Sequence, residues 1–400
     1  MTLPDVQSLF KRHFGCTPTH VVRAPGCVEL LGVREFCAEG LGISASINKF
    51  IHVASTPRAD GKVELVSTAS MERETFRADE IRLNPAAPWA DGIKRVLAQL
   101  RRRGVKFSGF RAAVCDDLPP GVDPGGAALF GVAAALTLRQ LYPFSLSETG
   151  LAPPPQRNAK GGVPPLATKE KLLFADLWRS TDTGEAGAGP SWCDAICSLC
   201  GKAWHVLSLD LRFRTVEPAP MTGEVIVICT AETPGGQSTA ASLGSGGLRS
   251  AGESAAAKLG AKSLRSIEPG FLKAGRSKLS ADEYECAAHT VGEMARVVAA
   301  ERALRADDHQ QFGQFMFQSE ESSRSLLRTR SPQIEALIAL ARSQPGCLGA
   351  RRCAGPAAAT VNLVSHHQAD RFMRQMVEQY HVRTGEKLVT YLCQTVDGSG

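Results

Sequence analysis

Apolar residues recur along the chain with two different periods, and these periods outline its predicted elements. In the first half, short apolar runs bounded by glycine and proline predict strands. In the second half, apolar residues at spacings of three and four predict helices, as at Val291, Met294 and Val298. The predicted strands are 21–31, 43–55, 62–67, 107–115, 204–212, 224–230, 348–352, 359–364 and 387–394. The predicted helices are 89–100, 127–141, 168–179, 193–200, 284–305, 307–327, 332–342 and 369–381.

Stretches rich in glycine, proline and serine predict less regular structure between these elements. Residues 143–165 predict an exposed loop, and 231–264 predict a mobile loop with a weak helix. Two prolines near residue 219 predict a linker between two domains, 1–215 and 216–400. A chain of 400 residues also favours two cores over one. The order of strands and helices predicts an α+β fold.

Composition narrows the class of protein. With 43% hydrophobic and 22% charged residues, the composition is typical of a globular protein and excludes wholesale disorder. The net charge of +6 is modest, and the basic run 101–103 lies where a helix should end, so we expect no nucleic-acid partner. No apolar run of eighteen residues and no signal-peptide pattern is present, so we expect a cytoplasmic protein with no membrane partner. Its twelve cysteines are then expected to be reduced thiols.

Short motifs of the second half follow one another in the order and at the spacing of a known enzyme family. They are His289-Thr-Val-Gly-Glu293, Ala303-Leu-Arg-Ala-Asp307, Phe312-Gly313, Ser319, Ser331-Pro332 and Gly349-Ala350-Arg351. From about residue 22 to residue 400, the chain resembles galactokinases of the GHMP small-molecule kinase superfamily. The resemblance implies a two-domain GHMP kinase fold with a cleft between the N- and C-terminal domains. It also implies that ATP, with Mg²⁺, phosphorylates the anomeric hydroxyl of galactose in that cleft.

The family's sugar-binding motif retains its apolar frame here but not its polar groups. The family reads Gly-Arg-x-Asn-Leu-Ile-Gly-Glu-His-x-Asp-Tyr, which aligns with residues 26–37. Cys27 stands at the position of the catalytic arginine, and valine, arginine and phenylalanine replace three residues that would bind sugar hydroxyls. A site built to bind hydroxyls loses orders of magnitude in discrimination without such partners. The candidate residues left for a sugar or another polar ligand are Glu29, Arg34 and Glu35.

Two glycine-rich segments correspond to the family's nucleotide site. The family places Pro-x-Gly-x-Gly-Leu-Ser-Ser-Ser-Ala at a helix N-terminus, where free N–H groups bind phosphate, and this aligns with 119–128. Here the serine hydroxyls are absent, Asp123 adds negative charge and Pro124 removes a donor. In the second segment, residues 349–360, only Gly355 of the family's glycine run remains. The candidate nucleotide-binding residues are Gly121, Gly125, Gly126, Ala127, Ala128 and Gly355.

One catalytic carboxylate of the family is retained. Asp194 lies seven residues before Gly201, which matches the aspartate of the family's Gly-Ile-Met-Asp-Gln motif. The resemblance implies that Asp194 acts as the base or orients charge, and that Asp182 is a candidate Mg²⁺ ligand.

Two further patterns have alternative interpretations. Cys193, Cys197 and Cys200 have the spacing of an iron–sulfur motif, but also that of one helical face, and we favour buried helical thiols. His289 and Glu293 lie four residues apart on a predicted helix, and we favour a surface pair over a metal site.

Two functional hypotheses stay open. In the first, the chain is a degenerate family member, a pseudoenzyme that binds a ligand or partner without turnover. In the second, it is an active kinase on galactose or another small molecule, with Asp194, the 125–128 loop and a replacement cation, Arg34 or Arg352. Loss at several sites together with intact core patterning favours the first.

Overall fold

The computed structural model describes residues 3–33, 39–67, 72–122, 126–159, 161–179, 192–232, 245–355 and 357–399. These residues form thirteen strands and eleven α-helices. The strands are β1 His20–Gly32, β2 Leu41–Pro57, β3 Lys62–Ser67, β4 Arg73–Arg77, β5 Phe110–Asp116, β6 Ser145–Ser147, β7 Gly150–Ala152, β8 His205–Asp210, β9 Thr215–Pro220, β10 Glu224–Ala231, β11 Cys347–Arg352, β12 Ala359–Ser365 and β13 Leu388–Cys393. The α-helices are α1 Leu3–Phe14, α2 Asp91–Arg102, α3 Gly126–Leu141, α4 Thr168–Arg179, α5 Trp192–Cys200, α6 Ser245–Lys258, α7 Pro269–Ala274, α8 Ala281–Arg305, α9 His309–Leu326, α10 Pro332–Ser343 and α11 Ala369–Thr384.

The first sheet contains most of the strands of the N-terminal half. Its order is β4-β3-β5-β2-β8-β9, and β1 pairs with β2 in addition. The β1–β2 pair is antiparallel from His20 opposite Ser55 to Gly32 opposite Gly42. Helices α2 to α5 bury their apolar residues against one face of the sheet. Helix α1 covers the other face through Val6 and Phe10.

The second sheet has the order β11-β12-β10-β13. Helices α10 and α11 pack on one face of this sheet. The other face shares an apolar cluster with α6, α8, α9 and the ends of β1 and β2 that belong to the first sheet. Helix α8 contacts β1, β2 and β9 of the first sheet and shares this apolar cluster with the second sheet. The predicted α+β fold is confirmed. Among the described helices, none combines the length and apolar character needed to cross a membrane.

Proline-rich segments differ from the sequence-based expectation. Residues 215–220, which we expected to be a linker, form β9 at the edge of the first sheet. Proline is tolerated there because an edge strand has one side without ladder partners. Part of the expected loop 143–165 is the β6–β7 hairpin. The two-domain division at 215/216 stays a prediction, and the change from the first sheet to the second lies at residues 221–223.

Helix ends account for several retained motif residues. Ser331 is the N-cap of α10 and accepts a hydrogen bond from the N–H of Ile334, with Pro332 in the first turn. Helix α8 begins with a capping box between Ser280 and Glu283. The basic run at residues 101–103 ends α2, as expected, and is followed by Gly104 at a φ of +93°.

Two glycines allow α9 to lie directly on the backbone of β11. A Cβ atom on Gly313 would lie 2.2 Å from the carbonyl oxygen of Leu348. A Cβ atom on Gly349 would lie 2.4 Å from the carbonyl oxygen of Gly313. Both contacts are with backbone atoms, which cannot move aside as a side chain could. The motif residues Gly313 and Gly349 are therefore required by packing.

We expect Gly313→Ala to reduce the free energy of unfolding by about 1–3 kcal/mol, because the added methyl group overpacks the helix–strand contact. The matched control is Gly270→Ala in α7, where a Cβ atom would meet nothing within 4 Å. That control is expected to be neutral or stabilising by up to about 1 kcal/mol, the helix propensity difference. Urea denaturation followed by circular dichroism measures both. Equal effects of the two substitutions would contradict this packing account.

Candidate active site

Three motif segments of the N-terminal half meet around strand β1. Residues 26–32 of the sugar-motif segment lie on β1 itself. Helix α3, which follows the phosphate-loop segment, packs on β1 and β2. Helix α5 has Asp194 in its first turn and packs on α3 and β1. The described parts of the first three aligned motifs therefore lie on or next to elements that pack against one another.

Cys27 lies in the core between β1 and α5. It is 0% exposed and stands opposite Ser46 in the β1–β2 register. The hydroxyl of Ser46 donates to the backbone carbonyl of Cys197 on α5 at 2.6 Å. The side chain at position 27 is therefore a small buried group in an apolar cluster. A thiol fits this environment, because cysteine packs as a small hydrophobe.

Asp194 is placed by the start of a helix. It is 7% exposed and lies in the first turn of α5, where a carboxylate is favoured by the helix dipole. The catalytic role of this residue stays a prediction. The three cysteines predicted on one helical face all lie in α5, where Cys193 and Cys197 are buried and Cys200 is partly exposed. Burial raises the pKa of Cys200 to about 11. Within the described ranges, no three His, Cys, Asp or Glu side chains are grouped to hold a metal ion.

The two glycine-rich segments contact each other through the backbone. The N–H of Ala357 donates to the carbonyl of Gly121 at 2.9 Å. A Cβ atom on Gly121 would lie 2.9 Å from the Cβ atom of Ala357. Gly355 has a φ of +108°, which glycine adopts most easily. The turn after β11 therefore rests on the segment that precedes α3.

The remaining candidate nucleotide and ligand residues are only partly described. Gly126 begins α3, and Ala128 is fully buried in the core beneath it. Of Ala127 only the helical backbone is described. The candidates Arg34, Glu35, Gly125 and Asp182 lie outside the described residues, and their roles stay predictions.

A buried carboxylate connects β1 to the second half of the chain. Glu293 on α8 is 0% exposed and accepts hydrogen bonds from the Gly32 N–H at 3.2 Å and the Ser319 hydroxyl at 2.6 Å. Arg296 donates to it at 2.7 Å. Arg351 Nη1 lies 3.9 Å from Glu293 Oε1. Burial by itself would raise the pKa of Glu293, but Arg351 and Arg296 hold that pKa below its usual value. The carboxylate is therefore ionised inside the protein.

Known proteins are similar to this chain over its whole length. It is 27% identical to the galactokinase of Roseiflexus sp. (strain RS-1), over 99% of this chain and 96% of that relative. The structure of Lactococcus lactis galactokinase complexed with galactose matches it with a TM-score of 0.85, covering 100% of both chains at 21% identity. The chain is therefore galactokinase-like in sequence and in fold over its full length. A mevalonate kinase structure shares the fold more distantly, with a TM-score of 0.58 over 95% of this chain and 100% of that one, at 14% identity. No protein-family model matches the chain.

The positions of two motif residues, His289 and Glu293, correct our expectation. We expected His289 and Glu293 to form a surface pair, but both are buried. The spacing of four residues places them on one face of α8 without indicating which other elements cover that face. Their partners come from distant segments, Ser319, Ser322 and Arg351. The collinear motif series, which contains several of these residues, was the signal that could have revealed the network.

Two candidate site residues have charged partners within the protein. The side chain of Glu29 is 14% exposed, and its Oε1 lies 3.3 Å from Arg351 Nη1. Its role in binding a ligand stays a prediction. Arg352, one of the two candidate replacement cations, pairs with Glu320, with Nη2 2.8 Å from Oε1. Arg352 also donates to the carbonyl of Thr329. A carboxylate and a carbonyl of the C-terminal half therefore hold this guanidinium.

We expect His289 to make stability depend on pH. Burial lowers the pKa of His289 from 6.5 to about 4, so the folded state binds its proton less readily than the unfolded state. Its contribution is complete above pH 6.5 and is lost as pH falls from 6.5 toward 4, by up to about 3 kcal/mol. Glu293 affects stability at lower pH than His289 does. Because the pKa of Glu293 in the folded state is below its usual value, its contribution to stability is lost as pH falls toward that pKa.

His289→Gln retains a polar group next to Ser322 and is expected to reduce the loss of stability between pH 6.5 and 4. Urea denaturation at a series of pH values measures the effect. The exposed histidine substitution His367→Gln is the matched control and should leave the pH profile as in the wild type. If the stability of His289→Gln depended on pH as that of the wild type does, His289 would not be the source of the pH dependence.

Proposed function

We propose that this galactokinase-family protein is a catalytically degenerate pseudoenzyme that binds a small-molecule ligand or partner and does not transfer phosphate. The family reaction, ATP-dependent phosphorylation of galactose to galactose 1-phosphate, is the activity it is proposed to lack. The observation that carries the proposal is the buried Cys27 on β1, beside the helix that begins near Asp194.

Phosphoryl transfer depends on positioning and on positive charge around the transferred group, so a lost cation weakens it strongly. At position 27, where the family has its catalytic arginine, the chain has an uncharged thiol enclosed by apolar side chains. Val33, where the family has a glutamate, is also buried in an apolar cluster. Neither position supplies charge to a phosphate or a hydrogen bond to a sugar hydroxyl.

The fit to ATP and Mg²⁺ is incomplete. The first turn of α3 offers backbone N–H groups, which suit a phosphate. The aligned segment 119–128 has no hydroxyl side chain, and the carbonyl of Gly121 accepts the N–H of Ala357. We therefore propose that the chain binds nucleotide weakly or not at all, and that its ligand is a sugar or a related small molecule.

The alternative is an active ATP-dependent kinase on galactose or another small molecule. The retained Asp194, at the start of a helix that packs on β1, favours it. So does full-length similarity to galactokinases, one of them determined with galactose. This alternative requires a cation in place of the family arginine. Arg352 is paired with Glu320, which leaves Arg34 as the candidate.

We expect no transfer of phosphate from ATP to galactose by the wild-type protein above the level of Asp194→Asn. A coupled assay for ADP release, with and without galactose, measures it. We also expect isothermal titration calorimetry with Mg·ATP to give no heat of binding. In a separate thermal-shift measurement, Mg·ATP is expected to leave the melting temperature unchanged. Sugar phosphorylation by the wild type that disappears in Asp194→Asn would refute the pseudoenzyme proposal. Absence of any response to Mg·ATP would refute the kinase alternative.

A further inference from the structure

A small cavity lies on the outer face of the first sheet, away from β1. Its volume is about 260 Å³. The lining residues are His13, Phe14, Glu64, Leu65, Arg73, Thr75 and Arg111. Thr75, Glu64 and Arg111 are neighbours across β4, β3 and β5. Helix α1 covers this face, whereas α3 and α5 pack on the opposite one. The cavity is therefore separate from the candidate active site.

One histidine in the lining has a hydrogen-bond donor without an acceptor. Arg73 Nη2 lies 3.1 Å from His13 Nδ1. Because a guanidinium can only donate, Nδ1 accepts, and the proton of the neutral ring is then on Nε2. In the described part of the chain, this buried Nε2 has no hydrogen-bond partner. A buried N–H without an acceptor is unfavourable, so a ligand that offers an acceptor at this position would gain a hydrogen bond.

The charges of the cavity lining also favour a ligand that accepts hydrogen bonds, because positive charge is in excess. Arg111 Nε donates to Glu64 at 3.0 Å, and Arg58 donates to the same carboxylate. The lining's one carboxylate is thus already engaged by two guanidinium groups. Among the described residues, no carboxylate forms an ion pair with Arg73. The cavity therefore presents more positive charge than its own carboxylate neutralises.

We propose that this cavity binds the phosphate group of a small phosphate-bearing ligand. Planar guanidinium groups match phosphate oxygens by paired hydrogen bonds. Arg73, Arg111 and the Nε2–H of His13 supply the donors, and the ring of Phe14, 5.6 Å from the Arg111 guanidinium carbon, supports that head. The volume lies below that of pockets for drug-sized ligands, so inorganic phosphate or a small phosphate monoester fits better than a nucleotide.

The test is a calorimetric titration of the full chain with inorganic phosphate and, in a second arm, glucose 1-phosphate, each at ionic strength matched with chloride. We expect saturable binding in at least one arm, and Arg73→Gln is expected to weaken it about tenfold or more. Arg73 is exposed, so its substitution should leave the melting temperature without phosphate unchanged. Arg82→Gln, another exposed arginine paired with Glu80, is the matched control and should bind as the wild type does.

The two arms separate the two sources of phosphate. Binding of both ligands assigns the site to the phosphate group alone, and binding of the monoester only assigns it to a larger phosphate-bearing molecule. No saturable binding in either arm, or binding unchanged by Arg73→Gln, would overturn the proposal. Asp194→Asn should keep the binding, which separates this site from the proposed function of the cleft.

Discussion

The ionised carboxylate of Glu293, enclosed without solvent contact, is the constraint on which the arrangement of the two sheets depends. A buried charge is tolerated only when partners satisfy it, and removing one such partner is strongly destabilising. The partners of Glu293 come from β1 of the first sheet, from α8 and α9, and from β11 of the second sheet. These elements must therefore meet at one point. The apolar cluster shared by both sheets surrounds the same helix.

Residues that the chain shares with the galactokinase family have structural duties visible in the contacts. Gly313 and Gly349 allow a helix to lie on a strand, and Ser331 caps a helix. Glu293 and Arg351 join the two halves. At position 27, where the resemblance implies a charged residue, the chain has a buried thiol that packs in the core. The residues that hold the two halves together are thus different ones from the position at which the resemblance implies charge.

Helices and strands could be predicted from the sequence where the local pattern of apolar residues matches the burial of the element in the folded protein. The continuous apolar run 224–230 became the central strand β10, and the helix predicted over 193–200 became α5. The prolines of β9 suggested a linker, because sequence alone does not reveal that a segment is a sheet edge. The burial of His289 and the Glu29–Arg351 pair also escaped prediction. Both depend on segments far apart in the chain that only the folded state brings together.

The edge strand β9 has a consequence for how molecules of this protein behave at high concentration. A free sheet edge is a template for pairing with another chain, which leads to fibrils or swapped dimers. Pro218 and Pro220 of β9 lack the N–H groups that an incoming strand would need. On the same strand, Glu217 forms an ion pair with Arg305 of α8. An approaching strand would find interrupted hydrogen bonding and a charged pair. This side of the molecule is thus protected against β-aggregation by the residues that obscured it as a strand.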